Sequence, residues 1–159
     1  MEVHEFYLPN NSDRKQRYRV ALGPLTDACR RKVFPPDILS PYKNSKSGSI
    51  GFMDVLKNVH FIPKKPTDVD DWCNYEDKEV LIVLDIGIEP EYRLNFTYLY
   101  TLLHRAEKIA HEWNLEVIVG ELILNKRFKE VLCQNQGYSS FDNDTRVFKR
   151  LPKNDPAKS

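Results

Sequence analysis

Two acidic side chains in the sequence fall within segments that are otherwise apolar. Asp85 lies in the run Val80–Ile88, and Glu121 lies in the run Leu115–Leu122. A carboxylate inside an apolar strand must be paired with a cation or open into a cleft, because burying an unpaired charge is costly. In a cleft it can accept a proton from an attacking nucleophile. Both residues are therefore candidate bases. For Asp85, the alternative is an ion pair with a residue such as Arg93 or a place at the exposed end of the sheet.

The run that contains Asp85 leads into a long amphipathic segment. Apart from Asp85, Val80–Ile88 is apolar and rich in β-branched residues, which is typical of a strand covered on both faces. Pro90 cannot donate to a strand ladder and ends it. From Leu94 to Trp113 the apolar positions recur with the spacing of one helical face. Because the first N–H groups of a helix lack helical partners and attract anions, this strand, turn and helix could bind a phosphate group.

The turn between this strand and this helix has the sequence Pro90-Glu91-Tyr92-Arg93. It resembles the exit of the fourth strand in the GNAT superfamily of acetyl-CoA-dependent N-acetyltransferases. The resemblance implies that acetyl-CoA is the cofactor and that the backbone of the turn cradles the coenzyme pyrophosphate. The coenzyme-binding residues implied in this way are Ile88, Arg93, Leu94, Asn95, Phe96, Thr97, Tyr98 and Asn125.

The turn departs from the family pattern where that pattern has small residues. The family continues with Arg or Gln, two residues, Gly, one residue, and Gly or Ala, whereas Phe96 and Tyr98 stand at the small positions here. Glycine lets the backbone approach a phosphate without a Cβ in the way. Two hypotheses follow. The protein is either an acyltransferase with an altered loop, or a protein of the same fold whose two rings fill the cleft and which acts through a macromolecular partner.

The second half of the chain follows the order of the same family. Asn125 can cap a helix over Lys126–Asn135, Gly137 stands where a helix ends, and a hairpin over Tyr138–Leu151 closes the chain. The resemblance covers Ile50–Leu151. It implies an α/β (α+β) fold with a mixed twisted sheet of about six strands and helices on both faces.

Acetyl transfer from a coenzyme A thioester also needs an acid that protonates the departing thiolate. At this acid the sequence agrees least with the family. The family places a tyrosine for this role early in the short helix, about seven residues after its asparagine. The sequence has Val131 and Leu132 in that region, so Tyr138 or Cys133 would have to take its place. Cys133 has no neighbouring His or Lys cluster, which favours a packing role.

The composition indicates a single intracellular domain. The chain has 159 residues and a net charge of +1, from 24 basic and 23 acidic side chains, so its charge neither requires nor excludes nucleic acid. Its three cysteines show no metal-ligand or disulfide spacing, and a reducing cytoplasm is the simplest interpretation. We expect one domain over residues 1–151, a polar tail over residues 152–159, no signal peptide and no membrane-spanning segment.

The first third of the chain carries two basic clusters on predicted helices. After a strand over Glu2–Leu8, helices are predicted over Arg14–Leu22 and Thr26–Val33. The clusters Arg14–Arg19 and Arg30–Lys32 could face an acidic partner, but solvated helix faces are the simpler interpretation. No nucleic-acid motif accompanies them, so we do not expect nucleic acid as a partner. The expected partner is an amine-bearing small molecule or protein if the enzyme is active, and a protein if it is not. An uncovered edge strand would allow a homodimer.

Two further segments precede the central strand. Ile50–Ile62 is predicted to form strand structure with a hairpin turn near Lys57-Asn58. Thr67–Asp77 is acidic and could hold a divalent cation, but it lacks the glycine-centred spacing of a calcium loop. We therefore expect a solvated loop and no metal site.

Overall fold

The computed structural model of the protein describes residues 2–8, 16–23, 50–93, 96–121, 126–143 and 145–152. The strands in these ranges are β1 (Glu2–Tyr7), β2 (Tyr18–Gly23), β3 (Gly51–Pro63), β4 (Tyr75–Ile88), β5 (Val117–Gly120), β6 (Ser139–Phe141) and β7 (Arg146–Arg150). The α-helices are α1 (Thr97–Glu112) and α2 (Lys126–Asn135). Short 3-10 turns occupy Pro66–Asp68, Trp72–Asn74 and Pro90–Tyr92.

The seven strands form one sheet with the spatial order β1-β2-β3-β4-β5-β7-β6. This mixed sheet with its helices confirms the predicted α+β class, with seven strands where about six were expected. The chain divides into two compact units, the first comprising Met1–Leu56 and Leu84–Arg105 and the second Lys57–Val83 and Ala106–Ser159. The single domain over residues 1–151, with a polar tail over residues 152–159, stays a prediction.

The first unit contains an antiparallel arrangement of three strands. β1 and β2 pair from Glu2 opposite Gly23 to Tyr7 opposite Tyr18. On its other edge, β2 pairs with residues Gly51–Val55 of β3. β2 therefore has hydrogen-bonded neighbours on both edges.

The helix predicted over Arg14–Leu22 is wrong, because β2 occupies Tyr18–Gly23. Residues 20–22 are fully buried there. A continuous run of buried side chains suits a central strand better than a helix that buries only one stripe. The second predicted helix, Thr26–Val33, lies outside the described residues.

The basic residues near the start of β2 form ion pairs. Arg19 is buried and donates from Nε and Nη2 to the two carboxylate oxygens of Asp54, at 2.6 and 2.8 Å. Arg17 lies 3.5 Å from the carboxylate of Asp85 in an exposed pair. The solvated helix face predicted for the cluster is therefore wrong for Arg19, which is buried in a strand, whereas Arg17 is exposed to solvent. Residues 14–15 and 30–32 of the two clusters lie outside the described residues.

β3 is one continuous strand, so the hairpin turn predicted near Lys57-Asn58 is wrong. β4 is its neighbour in the sheet and is similarly long, with 14 residues against the 13 of β3. A neighbouring strand of matching length can pair the backbone groups of β3 along its whole course. The chain therefore has no need to turn at Lys57-Asn58.

The second unit contains the parallel pair of the sheet. β4 and β5 pair in parallel from Leu81 opposite Ile118 to Val83 opposite Gly120. β7 pairs antiparallel with β5 and with β6. β4, α1 and β5 follow one another in the chain, and a helical crossover of this kind is what a parallel pair of strands requires.

α1 buries the apolar face that the sequence predicts. The buried residues of this helix are Leu99, Leu102, Leu103, Ala106, Ile109 and Ala110. Asn114 follows with φ of 57° and ends the helix, because asparagine tolerates the left-handed conformation. Within the described ranges, none of the helices has the length and apolar character needed to cross a membrane.

Replacing Asp54 with alanine is expected to lower the free energy of unfolding by about 3–5 kcal/mol, because the buried Arg19 guanidinium loses this carboxylate. The matched control is Arg17→Ala, which breaks the exposed pair with Asp85 and is expected to cost at most about 1 kcal/mol. Urea unfolding of the two variants measures the difference. Equal losses would contradict a special role for the buried pair.

Candidate active site

The turn after β4 brings several of the predicted site residues together. β4 ends at Ile88, and a 3-10 turn over Pro90–Tyr92 follows, in which the Tyr92 N–H donates to the Glu89 carbonyl at 2.9 Å. α1 begins at Thr97, and its first turn has no acidic residue. A helix start without carboxylates keeps the positive end of its dipole available to anions. Leu94 and Asn95 lie outside the described residues.

A cavity of about 130 Å³ opens beside this turn. Its lining residues come from the end of β4, the turn and the neighbouring strand β3, and they are Phe52, Gly87, Ile88, Glu89, Pro90 and Arg93. Glu89 and Arg93 carry opposite charges. The cavity is therefore close to neutral and suits an uncharged polar group better than a free anion.

Two glycines allow the strands to approach closely at this cavity. A Cβ on Gly51 would lie 2.7 Å from both the carbonyl oxygen of Gly87 and the Cδ1 of Ile88. A Cβ on Gly87 would lie 2.6 Å from the ring of Phe52. These distances are too short for any real side chain, so both positions require glycine for close packing.

Phe52 is held between Gly87 and a buried cation. The guanidinium carbon of Arg19 lies 5.0 Å from the centroid of the Phe52 ring, within the range of a cation–π contact. Arg19 is in turn fixed by Asp54. The ring that forms one wall of the cavity is therefore positioned by a buried ion pair. Sequence reasoning assigned none of Phe52, Arg19 and Asp54 to the coenzyme site.

Arg93 spans the turn. Its Nε donates to the carbonyl of Ile88 at 2.7 Å, and its side chain is exposed beside the cavity. Arg93 was also proposed as a partner of Asp85. The partner that the structure gives to Asp85 is instead Arg17.

Phe96 and Tyr98 do not line the described cavity. Phe96 is 36% exposed, and its ring stacks at 6.0 Å on that of Tyr100, one helical turn further on. Tyr98 is half-buried and contacts Tyr92 edge-to-face at 5.4 Å. Each ring packs against a local neighbour, and neither closes the cavity.

Asp85 lies at the surface, with 57% of its side chain exposed. Successive side chains of a strand point to opposite faces, so Asp85 lies on the same face of β4 as the position that a Cβ of Gly87 would take. That position faces Phe52 in the wall of the cavity. Asp85 is thus an ion-paired and solvent-exposed carboxylate on the face of β4 that Phe52 covers at Gly87.

Glu121 has hydrogen bonds to both of its carboxylate oxygens. His60 Nε2 lies 3.1 Å from Oε1, and Arg146 Nε donates to Oε2 at 2.9 Å. Burial lowers the pKa of Arg146, but the hydrogen bond and charge of Glu121, together with Asp142, outweigh this effect and raise the pKa above its ordinary value. This guanidinium therefore stays charged. Glu121 is therefore a positioned carboxylate in a His–Glu–Arg cluster. Its two partners come from β3 and β7, and no local signal in the sequence links them.

The two candidates for a substitute acid lie in the second unit. Tyr138 is only 6% exposed, and burial, together with Glu107, raises its pKa well above the ordinary value. Cys133 on α2 is half-buried. Gly137, with φ of 76°, ends α2 as predicted. Asn125 lies outside the described residues.

Alanine is expected to destabilise the protein more at Gly51 than at Gly87. Gly51→Ala is expected to lower the free energy of unfolding by about 1–3 kcal/mol, because the new methyl meets the backbone carbonyl of Gly87. Gly87→Ala should cost less, because its methyl group meets a side chain, the ring of Phe52, rather than backbone. Replacing Phe52 with leucine as well should relieve this contact. Urea unfolding of Gly51→Ala, Gly87→Ala and the Phe52→Leu/Gly87→Ala double variant tests this order. The reverse order would contradict the close approach of the two backbones.

Tyr138→Phe is expected to reduce the loss of stability above about pH 10. The folded protein holds the Tyr138 proton because its pKa is raised, whereas the unfolded chain releases it near the ordinary value. The unfolded state then binds fewer protons, so the wild type loses stability as the pH rises. Thermal unfolding across this range measures the effect, with Tyr7→Phe, at a 52% exposed position, as control. Equal pH dependence in both variants would contradict the buried, protonated phenol.

No protein-family model and no curated protein matches the sequence. Solved structures do share the fold. The toxin AtaT complexed with acetyl-methionyl-tRNAfMet has a TM-score of 0.53 at 8% identity, covering 86% of this chain and 71% of that chain. A mutant of the AtaT toxin has a TM-score of 0.51 at 9% identity, covering 86% and 67%. The KacTA–DNA complex has a TM-score of 0.50 at 8% identity, covering 88% and 70%.

These similarities concern the fold alone, because the sequence identities are low. Complexes with tRNA and with DNA occur among the similar structures, so they give no support to the expectation that nucleic acid is excluded as a partner. In fold, this chain is similar to the AtaT toxin and to the KacTA–DNA complex.

Proposed function

We propose that the protein is an acyl-CoA-dependent N-acyltransferase that binds acetyl-CoA at the turn after β4. The observation that supports this function best is the open cavity beside that turn. It adjoins an exposed arginine, Arg93, in the segment that leads to the acid-free start of α1. The similarity in fold to toxin acetyltransferases of the GNAT type agrees with this function.

The last residues of β4 would bind the pantetheine arm of the coenzyme. The ladder between β4 and β5 ends at Val83, whereas β4 continues to Ile88. Backbone groups beyond the end of a ladder can pair with the amides of an extended ligand, as they do with an added strand. The nearly neutral cavity at Gly87–Pro90 suits this uncharged part of the coenzyme.

The pyrophosphate would lie at the start of α1, beside Arg93. The N–H of Tyr98, in the first turn of the helix, would donate to a phosphate oxygen there. The guanidinium of Arg93 adds charge-assisted hydrogen bonds. Tyr98 and Phe96 pack on Tyr92 and Tyr100, so their rings leave the described cavity open.

In the reaction, an amine nitrogen attacks the thioester carbonyl, an amide bond forms and the carbon–sulfur bond breaks. The amine proton passes to a base, and the departing thiolate takes up a proton from an acid or from water. Asp85 is our candidate base, because it lies two residues before Gly87 of the cavity lining and reaches solvent. Glu121 is the second candidate, acting through its cluster with His60 and Arg146.

The acceptor is an amine on a small molecule, a protein or an aminoacylated tRNA. We include aminoacylated tRNA because a structure of similar fold is a complex with acetyl-methionyl-tRNAfMet. A protein that had lost the coenzyme would instead act only through a macromolecular partner. The open cavity favours the enzyme over this alternative.

Calorimetric titration with acetyl-CoA tests the proposed site. We expect micromolar binding by the wild type and about tenfold weaker binding by Arg93→Ala, because a hydrogen bond to a charged group contributes about 1.5–3 kcal/mol. A thermal shift at saturating ligand checks that the folded state is the one that binds.

The matched control is Arg127→Ala, which removes an exposed arginine from α2 and is expected to leave the affinity unchanged. Phe96→Ala should also keep the wild-type affinity, because this ring packs on Tyr100. Absence of binding by the wild type at millimolar acetyl-CoA would overturn the proposed function. Equal weakening in both arginine variants would overturn the role of Arg93.

A further inference from the structure

Three aromatic side chains form an exposed group in the second unit. Trp72 is 73% exposed and Phe61 is 46% exposed. The ring centroid of Tyr75 lies 6.3 Å from that of Trp72 and 5.1 Å from that of Phe61. We call Phe61, Trp72 and Tyr75 the aromatic surface. Exposed aromatic side chains that touch one another are characteristic of recognition sites, because a partner that covers large rings removes their apolar area from water, which favours binding.

β3 extends this apolar surface along one face. Val59 is 54% exposed and, two residues before Phe61, lies on the same side of the strand. Between them, His60 points the other way and bonds to Glu121. The ladder of β3 with β2 ends at Val55, so this stretch lies beyond that pairing. The exposed apolar residues are thus aligned by the strand.

The segment that carries Trp72 is acidic. Between Pro66 and Asp77 the sequence has no lysine or arginine, although Lys64 and Lys65 precede it. Its carboxylates are those of Asp68, Asp70, Asp71, Glu76 and Asp77. Partial burial and the negative charges of Asp142 and Asp70 raise the pKa of Tyr75. Asp70 and Asp142 therefore place negative charge near the middle of the aromatic surface, whereas Glu76 is paired with Arg150 at 3.2 Å.

We propose that the aromatic surface binds a cationic segment of a partner protein, with a lysine or arginine side chain over the ring of Trp72 and the carboxylate of Asp70 beside it. Tryptophan is the strongest aromatic partner for a cation. A negative surface attracts basic segments and repels phosphates, which favours a basic protein over a nucleic acid. This inference does not depend on the acyltransferase function.

Fluorescence anisotropy with a labelled oligo-arginine peptide tests the proposal on the full chain. Trp72→Ala is expected to weaken binding about fivefold, whereas Trp72→Phe should retain most of the affinity, because the aromatic face remains. Asp70→Asn should also weaken binding, and more at low salt than at high salt. A labelled oligo-glutamate peptide and a single-stranded oligonucleotide serve as comparison probes.

Two control variants separate the aromatic surface from general effects. Tyr7→Ala removes a 52% exposed ring from β1, and Glu112→Gln removes an exposed carboxylate from the end of α1. Both should bind oligo-arginine like the wild type. Thermal unfolding should show that Trp72→Ala is folded, since its side chain is mostly in solvent.

Three results would overturn the proposal. They are absence of oligo-arginine binding by the wild type, equal binding by the wild type and Trp72→Ala, or a Trp72-dependent preference for the oligonucleotide. The last result would identify the surface as a platform for stacking bases. None of these results bears on acetyl-CoA titration, so the two proposals fail separately.

Discussion

Contact between the backbones of β3 and β4 at Gly51 and Gly87 is the constraint on which the candidate site depends. With no Cβ at either position, the strands approach until the carbonyl of one glycine lies where a side chain of the other would be. The ring of Phe52 can then cover Gly87 and form a wall of the cavity. Behind that ring lies the buried Arg19–Asp54 pair. The shape of the cavity thus depends on close backbone packing and on one buried charge pair, and of these residues Gly51, Arg19 and Asp54 are distant in sequence from the turn.

The elements with clear local signals could be predicted from the sequence. The strand before Pro90, the apolar face of α1 and its end at Asn114 follow from periodicity and from residues that stop a helix or a strand. β2 could not, because its short apolar stretch fits a helix or a strand, and only pairing on both edges decides between them. β3 was divided at Lys57-Asn58 for a similar reason: the long partner strand that keeps it extended is not visible in local sequence.

The candidate site was predictable where it is continuous in sequence and not where it depends on distant contacts. The resemblance identified the turn around Arg93, but not Phe52 as part of the cavity wall. Glu121 was recognised as a carboxylate that needs partners, whereas His60 and Arg146 reach it from strands far apart in the chain. The four-residue spacing of Phe96 and Tyr100 was a local signal that the first ring could pack along the helix rather than across the site.

The hydrogen bond from Arg93 to the carbonyl of Ile88 orders a long side chain before any ligand arrives. A freely rotating arginine loses about 2 kcal/mol of rotamer entropy when it is immobilised. In this protein part of that loss has already occurred on folding. An incoming anion would therefore bind with a smaller entropic penalty. Because the planar guanidinium is held in one orientation, it would select among anions by the direction of their oxygen atoms as well as by their charge.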